Sequence, residues 1–244
     1  MGDMKTVGVL GGMSWESSAE WYRLANELVR RELGGHHSAR IVLDSVDFAE
    51  VEALQSRGDW EAAGDLLAER ARRLEAAGAD LLVLCTNTMH LVADRIEEAV
   101  AIPFLHIADA AAAAVAAAGL RTVGLLGTAF TMEQSFYRDR LARHGIAAIV
   151  PSAGERAVVH DVIYAELVHG VVREESRRRF QVVIDRLVRE GAEGILLGCT
   201  EIELLIRAED APVPVFPTTA IHVEAAMSLA LDGRERDAVS SPGA

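Results

Sequence analysis

GADLLVLCTNT (78–88) and GAEGILLGCTE (191–201) decide how this chain is read. They align without a gap at an offset of 113 residues. Each is a glycine, a short apolar run and a small polar cluster. In this alignment Cys85 falls opposite Gly198, and Thr86 opposite Cys199. VGVLGGMS (7–14) echoes VGLLGTAF (123–130), and PFLHIA (103–108) echoes PVFPTT (214–219), at similar offsets. A period this long is not that of a solenoid of short repeats. It predicts two similar α/β halves that set equivalent strand ends face to face across a cleft.

Working outward, short β-branched and Leu-rich runs alternate with longer amphipathic ones. Strands are expected at 5–10, 40–45, 80–85, 103–106, 122–127, 147–150, 194–198 and 213–216. Helices are expected at 16–33, 60–77, 88–100, 108–118, 131–144, 157–169, 172–190, 201–208 and 219–231. Continuous apolar strands separated by helices indicate parallel sheets covered on both faces. The fold class is therefore α/β, with a four-stranded parallel sheet in each of two pseudo-twofold lobes. The first lobe is expected to comprise residues 1–115 with a returning C-terminal helix in 219–244, and the second residues 116–218. Gly34-Gly35, Gly78, Gly119, Gly145, Gly170 and Gly191 fall just past helical runs, where a left-handed stop is expected. Ser14 and Thr131 stand where N-caps are expected. The Ala-rich stretch 108–118 reads as a buried helix, and the tail SSPGA (240–244) as disordered.

Composition removes several function classes. Of 244 residues half are hydrophobic, which is enough for a sizeable core. A net charge of −13 argues against a nucleic-acid partner, which needs basic stripes. Lys5 is the sole lysine of the chain, so neither a P-loop lysine nor a well-placed Schiff-base lysine is available. Two cysteines form no disulfide framework, and no matching His spacing suggests a metal site. The chain carries no signal peptide and no apolar run of membrane-spanning length, so a cytoplasmic protein without a membrane partner is expected.

In open α/β sheets ligands sit beyond the carboxyl ends of the strands. The clusters Gly11–Ser14 (with Met13), Cys85–Thr88, Gly127–Thr128 and Cys199–Glu201 all fall there. Cys199, ahead of a helix expected to start near Glu201, would gain from the helix dipole and free N–H groups, which lower a thiol pKa. The other reading of a lone cysteine is an inert core residue. Alternation along a strand separates Cys85 from Thr86. The repeat selects Thr86 for the cleft and turns Cys85 into the core; a bend at the strand end would break the alternation and leaves Cys85 as the reserve candidate. Asn87, Thr88, Thr128 and Thr200 offer neutral hydrogen-bonding groups suited to a carboxylate, or serve as simple caps. Gly11-Gly12 is not GxGxxG, so a dinucleotide site is weakly supported. His90, His106 and His222 read as satisfied structural residues. Trp15, Trp21 and Tyr22 are expected to cover the core or a subunit interface.

The motifs GVLGGMSWESS (8–18), SVDFAEVE (45–52), CTNTMH (85–90), LLGT (125–128) and GCTE (198–201) resemble those of the aspartate/glutamate racemase superfamily. The resemblance runs from about Val7 to about Leu231, and is closest to the L-Asp/Glu-specific or broad-specificity branch. It implies two α/β domains, usually in a homodimer, with no metal or cofactor. It also implies a two-base reaction, with one acid/base residue on each side of the substrate Cα. Most members carry a Cys at both positions; here the matching residues are Thr86 and Cys199. Thr/Cys members are associated with preference for the L-enantiomer. By the same resemblance the substrate carboxylate is expected near Asn87, Thr88 and Thr128, with Thr200 at the amino group or carboxylate. Gln55, expected in a loop after the second strand, is a further substrate-binding residue. Arg57, two residues on, is open to two readings, a holder of a side-chain carboxylate or an exposed charge beside Asp59, and the second is favoured. The expected function is a PLP-independent amino-acid racemase acting on a small-molecule substrate, L-Asp, L-Glu or a wider set of α-amino acids, with Thr86 and Cys199 as the two bases. The alternatives are a related Cys-dependent isomerase or decarboxylase (hydantoin racemase, maleate isomerase or arylmalonate decarboxylase type) and a non-catalytic receptor for a small acid.

Overall fold

A computed structural model describes residues 4–232; the SSPGA tail lies outside the described residues. In chain order the elements begin with β1 (Val7–Gly11), α1 (Trp15–Leu33), β2 (Ile41–Ser45), α2 (Phe48–Arg57) and α3 (Trp60–Ala76). There follow β3 (Leu81–Leu84), α4 (Ala93–Glu97), β4 (Phe104–Leu105) and α5 (Ile107–Ala117). The second half runs β5 (Thr122–Gly127), α6 (Ala129–Glu133), α7 (Ser135–Arg143), β6 (Ala147–Ile149), α8 (Ala153–Ala165) and α9 (Glu174–Arg189). It closes with β7 (Gly194–Gly198), α10 (Ile202–Leu205), β8 (Val215–Pro217) and α11 (Thr218–Leu231).

The strands form two four-stranded parallel sheets, ordered β2-β1-β3-β4 and β6-β5-β7-β8. The orders are the same once the second set is renumbered from one, so the sequence repeat is a repeat of topology. Gly78 and Gly191, which open the repeated segments, follow α3 and α9 with φ of +91° and +105°. Only glycine takes such a backbone without strain.

Alternation sorts each strand between two cores. In the first sheet Leu82 and Leu84 pack with Leu67, Ala71 and Leu74 of α3. Leu81, Val83 and Cys85 face the other way, onto Trp21 and Ala25 of α1 and Val223 and Met227 of α11. The last helix thus packs on the first sheet although it follows the second. In the second sheet Ile195, Leu197 and Cys199 join α8 and α9, whereas Leu125 and Leu196 join α5 and α7. The Ala-rich α5 is buried along most of its length. Its small side chains allow close approach to its neighbours.

Several expected elements differ. Residues 48–57, where the sequence reading places Gln55 in a loop, form α2, capped by Asp47 and stopped by Gly58 in the left-handed region. Its polar composition hid a helix whose caps were legible. The helix expected over 88–100 is a 3₁₀ turn (Thr88–Val92) followed by the short α4. The one over 131–144 is broken at Gln134, whose backbone is extended. Thr128, not Thr131, is the cap there: its hydroxyl accepts from the Thr131 N–H. The helix over 201–208 shrinks to the four residues of α10. Trp21 is buried, whereas Trp15 and Tyr22 are exposed.

Candidate active site

The carboxyl ends of β1, β3, β5 and β7 meet at one cavity of about 60 Å³. Met13, Gln55, Thr86, Asn87, Thr88, Thr128, Cys199 and Thr200 all line it. The structure therefore brings together the eight residues that the sequence assigned to the site. Thr86 stands just past the end of β3 and Cys199 just past β7, the equivalent place in the other sheet. Cys85 is in the core, 4% exposed, and burial pushes its thiol well above the ordinary range. Arg57 is exposed and not part of the lining.

The backbone that shapes this cavity depends on close approaches. Gly12 has φ of +92°, and a Cβ there would lie 2.2 Å from the Val46 carbonyl oxygen. Its N–H donates to Ser18 Oγ at 2.8 Å. The Gly11-Gly12 pair therefore lets β1 end against the Val46 backbone. Gly198, opposite Cys85 in the repeat, would place a Cβ 3.0 Å from the Leu126 carbonyl oxygen.

Hydrogen bonds cross between the lobes around the cavity. Ser14 Oγ donates to Glu201 Oε1 at 3.0 Å, and Ser17 Oγ donates to the same oxygen at 3.2 Å. On the other carboxylate oxygen, Oε2 accepts from Cys199 Sγ at 3.0 Å and from Thr200 Oγ1 at 2.7 Å. One carboxylate thus ties α1, the Cys199 loop and the catalytic candidate thiol together. On the opposite side Thr88 Oγ1 and Thr128 Oγ1 are 3.1 Å apart. Ser14 and Glu201 close two of the clusters expected at the strand ends but carry no role at the site in the sequence reading, and Ser17 lies outside those clusters. Their partners are far apart in sequence, but SWESS and GCTE both carried the signal.

Burial, reinforced by this carboxylate, overturns the expected ionisation of Cys199. A lowered thiol pKa required a helix dipole, but α10 is a single turn. Burial pushes the thiol well above its ordinary range, and the charge of Glu201 pushes it further. The N–H groups of Glu201 and Ile202 pull the other way and do not win. The resting group is a protonated thiol that donates to Glu201.

The orientation of Asn87 follows from its partners. Thr218 Oγ1 donates its proton to the Leu197 carbonyl at 2.7 Å, so it can only accept from Asn87. Asn87 Nδ2 therefore faces Thr218, at 3.2 Å. Asn87 Oδ1 is left buried and without a partner. Gln55 is buried, its Nε2 2.8 Å from Met89 Sδ.

His90 supports the Thr86 loop from behind. Its Nε2 accepts from the Ile107 N–H at 3.1 Å, so the ring proton sits on Nδ1 and is donated to the Thr86 carbonyl at 2.7 Å. Burial holds its pKa well below the ordinary range. His106 caps α5 and is held at about 3, and His222 donates to the Leu105 carbonyl and is held at about 4, in both cases chiefly by burial. All three are neutral structural residues.

Among the described residues no three His, Cys, Asp or Glu side chains gather into a metal-binding group, and no helix is long and apolar enough to cross a membrane.

Comparison with known proteins places this geometry. A candidate Asp/Glu racemase of Yersinia pestis is 53% identical, with a TM-score of 0.89 over 93% of this chain and 100% of that one. An aspartate racemase homologue from Pyrococcus horikoshii is 33% identical, with a TM-score of 0.83 over 93% of this chain and 99% of the other. The broad specificity amino-acid racemase RacX of Bacillus subtilis is 23% identical over 161 residues, 65% of this chain and 68% of that protein. The Asp/Glu/Hydantoin racemase family matches residues 10–226. The chain therefore belongs to the Asp/Glu/hydantoin racemase family.

Proposed function

We propose that this protein is a cofactor-independent amino-acid racemase that exchanges the Cα proton between Cys199 on one wall of the cavity and Thr86 on the other. The observation that carries the reading is that equivalent strand ends of two sheets present these groups to one cavity, with Glu201 in place to receive the thiol proton. The cycle starts with the Cys199 S–H bond giving its proton to Glu201. The thiolate then takes Cα–H, and the electron pair of that bond moves into the substrate carboxylate as an enolate. The hydroxyl of Thr86 protonates the opposite face of Cα; Glu201 then releases its proton to solvent and the Thr86 alkoxide takes one back, which restores both groups. Buried neutral donors at Thr88 and Thr128 serve the enolate carboxylate, where each well-placed donor is worth about 10²–10³ in rate. Asn87 Oδ1 takes the substrate ammonium, which revises the expectation that Asn87 binds the carboxylate.

Because the enantiomers have equal free energy, kcat/KM must be the same in both directions. The expected preference for the L-enantiomer can therefore appear only as unequal kcat and KM. Independence of PLP is supported by the lysine count, since Lys5 is exposed and outside the cavity lining. The proposal includes a cytoplasmic homodimer and two lobes divided at residues 115/116 and 218/219.

Cys199→Ala is the discriminating variant. A racemase loses turnover of L-amino acids, followed by chiral chromatography, by at least about 10². If wild-type protein binds an amino acid without turning it over, and Cys199→Ala binds equally well, the chain is a receptor and the proposal fails.

A further inference from the structure

The racemase reading leaves the substrate side chain open, and the charge of the cavity wall bears on it. Among the described residues the lining contains no Lys, Arg or His. Its one carboxylate is Glu201, which already collects protons from both lobes. The arginine closest in sequence to a lining residue of α2 is Arg57, two positions past Gln55, and it is exposed and outside the wall. Other arginines are engaged elsewhere, Arg70 with Asp44 and Arg156 with Glu133.

The rest of the wall is neutral. Phe48, Ile163 and Val168 present apolar surface, and Tyr164 a phenol. Burial, and then Cys199, Glu52 and Glu201, push that phenol up to about 12, so it stays neutral in a field of negative sign. A side-chain carboxylate entering here loses its water, finds no cation to offset the loss, and meets Glu201. An uncharged side chain loses little and gains contact with Phe48, Ile163 and Val168. The volume of about 60 Å³ has room for about five waters, which limits the substrate to a small molecule.

We propose that the substrate is a small α-amino acid with an uncharged side chain, and that aspartate and glutamate are poor substrates of this family member. The inference rests on the racemase reading and sharpens it. The Thr88 and Thr128 hydroxyls, together with backbone donors, are left to hold the one carboxylate that every amino acid has.

The test is kcat/KM for racemisation by the full-length chain, measured on L-Ala, L-Ser, L-homoserine, L-Met, L-Leu, L-Asp, L-Glu and L-Lys. The best uncharged substrate is expected to exceed both acidic ones by about 100-fold, the scale of an unpaired like-charge contact. An advantage below about tenfold, or L-Lys as the best substrate, overturns the proposal. Turnover of L-Asp or L-Glu alone also overturns it and leaves the racemase reading standing. Turnover of none of the panel refutes the racemase reading, and the substrate class falls with it.

Discussion

Replacing Glu201 with Gln keeps the shape of the side chain and removes its charge and one acceptor. The wild-type carboxylate accepts from Cys199 and Thr200 on one oxygen and from Ser14 and Ser17 on the other. A glutamine offers one oxygen and one NH₂. Serine hydroxyls can rotate to accept from that NH₂, whereas a thiol is a poor acceptor, so the carbonyl oxygen should stay toward Cys199. Four charge-assisted hydrogen bonds become neutral ones, at about 1 kcal/mol each. The chemical loss is larger. No base remains to take the thiol proton, and removing a positioned base costs about 10²–10⁴ in rate. A second effect opposes the first. The Glu201 charge is, after burial, the main cause of the raised thiol pKa. Without it the thiol ionises at lower pH than in the wild type. Glu201→Gln should therefore lose about 10²–10⁴ in kcat near neutral pH and recover part of it as the pH rises. Racemisation rates from about pH 6 to about pH 10, with iodoacetamide alkylation of Cys199 alongside, read both effects. A variant within about threefold of wild type, with an unchanged pH profile, would refute the assignment of Glu201 as proton acceptor.

Glu203 is half-buried, accepts from the Thr219 N–H at 3.0 Å, and has its pKa raised to about 7, chiefly by loss of water around the carboxylate. Because the folded state holds this proton more tightly than the unfolded chain, stability is greatest below about pH 4.5 and falls until about pH 7. Glu203→Gln should remove that fall, worth up to about 3 kcal/mol at pH 8; urea titrations showing the same slope in both proteins would contradict it. Gly12→Ala forces a Cβ against the Val46 backbone at positive φ. It should cost about 3 kcal/mol or more and lower the thermal midpoint by several degrees, and an unshifted midpoint would show the approach to be looser than described. His90→Ala strands the Thr86 carbonyl and the Ile107 N–H, each worth about 1–3 kcal/mol. Its kcat should fall more than its KM rises, since Thr86 loses its support while the ammonium and carboxylate sites remain; a change in KM alone would argue against that role.

The strands were legible because their signal is local. Leu81 to Cys85 is a continuous apolar run; alternation set Cys85 and Thr86 on opposite sides, and the repeat chose which of them faces the cleft. The repeat then paired Thr86 with Cys199 without reference to any fold. What stayed hidden was tertiary. Ser14 was readable as a cap, and it is one, with its hydroxyl accepting from the Ser17 N–H. That the same hydroxyl reaches Glu201, 187 residues away, depends on how the two lobes face each other. The error over the Cys199 thiol has the same origin. A strand-to-helix cysteine suggests an activated thiolate, but burial and then an adjacent carboxylate reverse the sign, against a helix of only one turn. Ile163 and Tyr164 enter the cavity from α8, a helix without a motif, and nothing in their local sequence marks them.

The central claim is proton exchange at Cα through Cys199, and deuterium reads it directly. Wild-type protein and Cys199→Ala would be incubated in D₂O with the L-amino acid turned over fastest, and the Hα signal followed by NMR while the product is resolved by chirality. The account predicts that the D-enantiomer formed carries deuterium at Cα from the first turnovers, and that the exchange disappears in Cys199→Ala. Inversion with retention of the Cα proton, or exchange undiminished in Cys199→Ala, would contradict it.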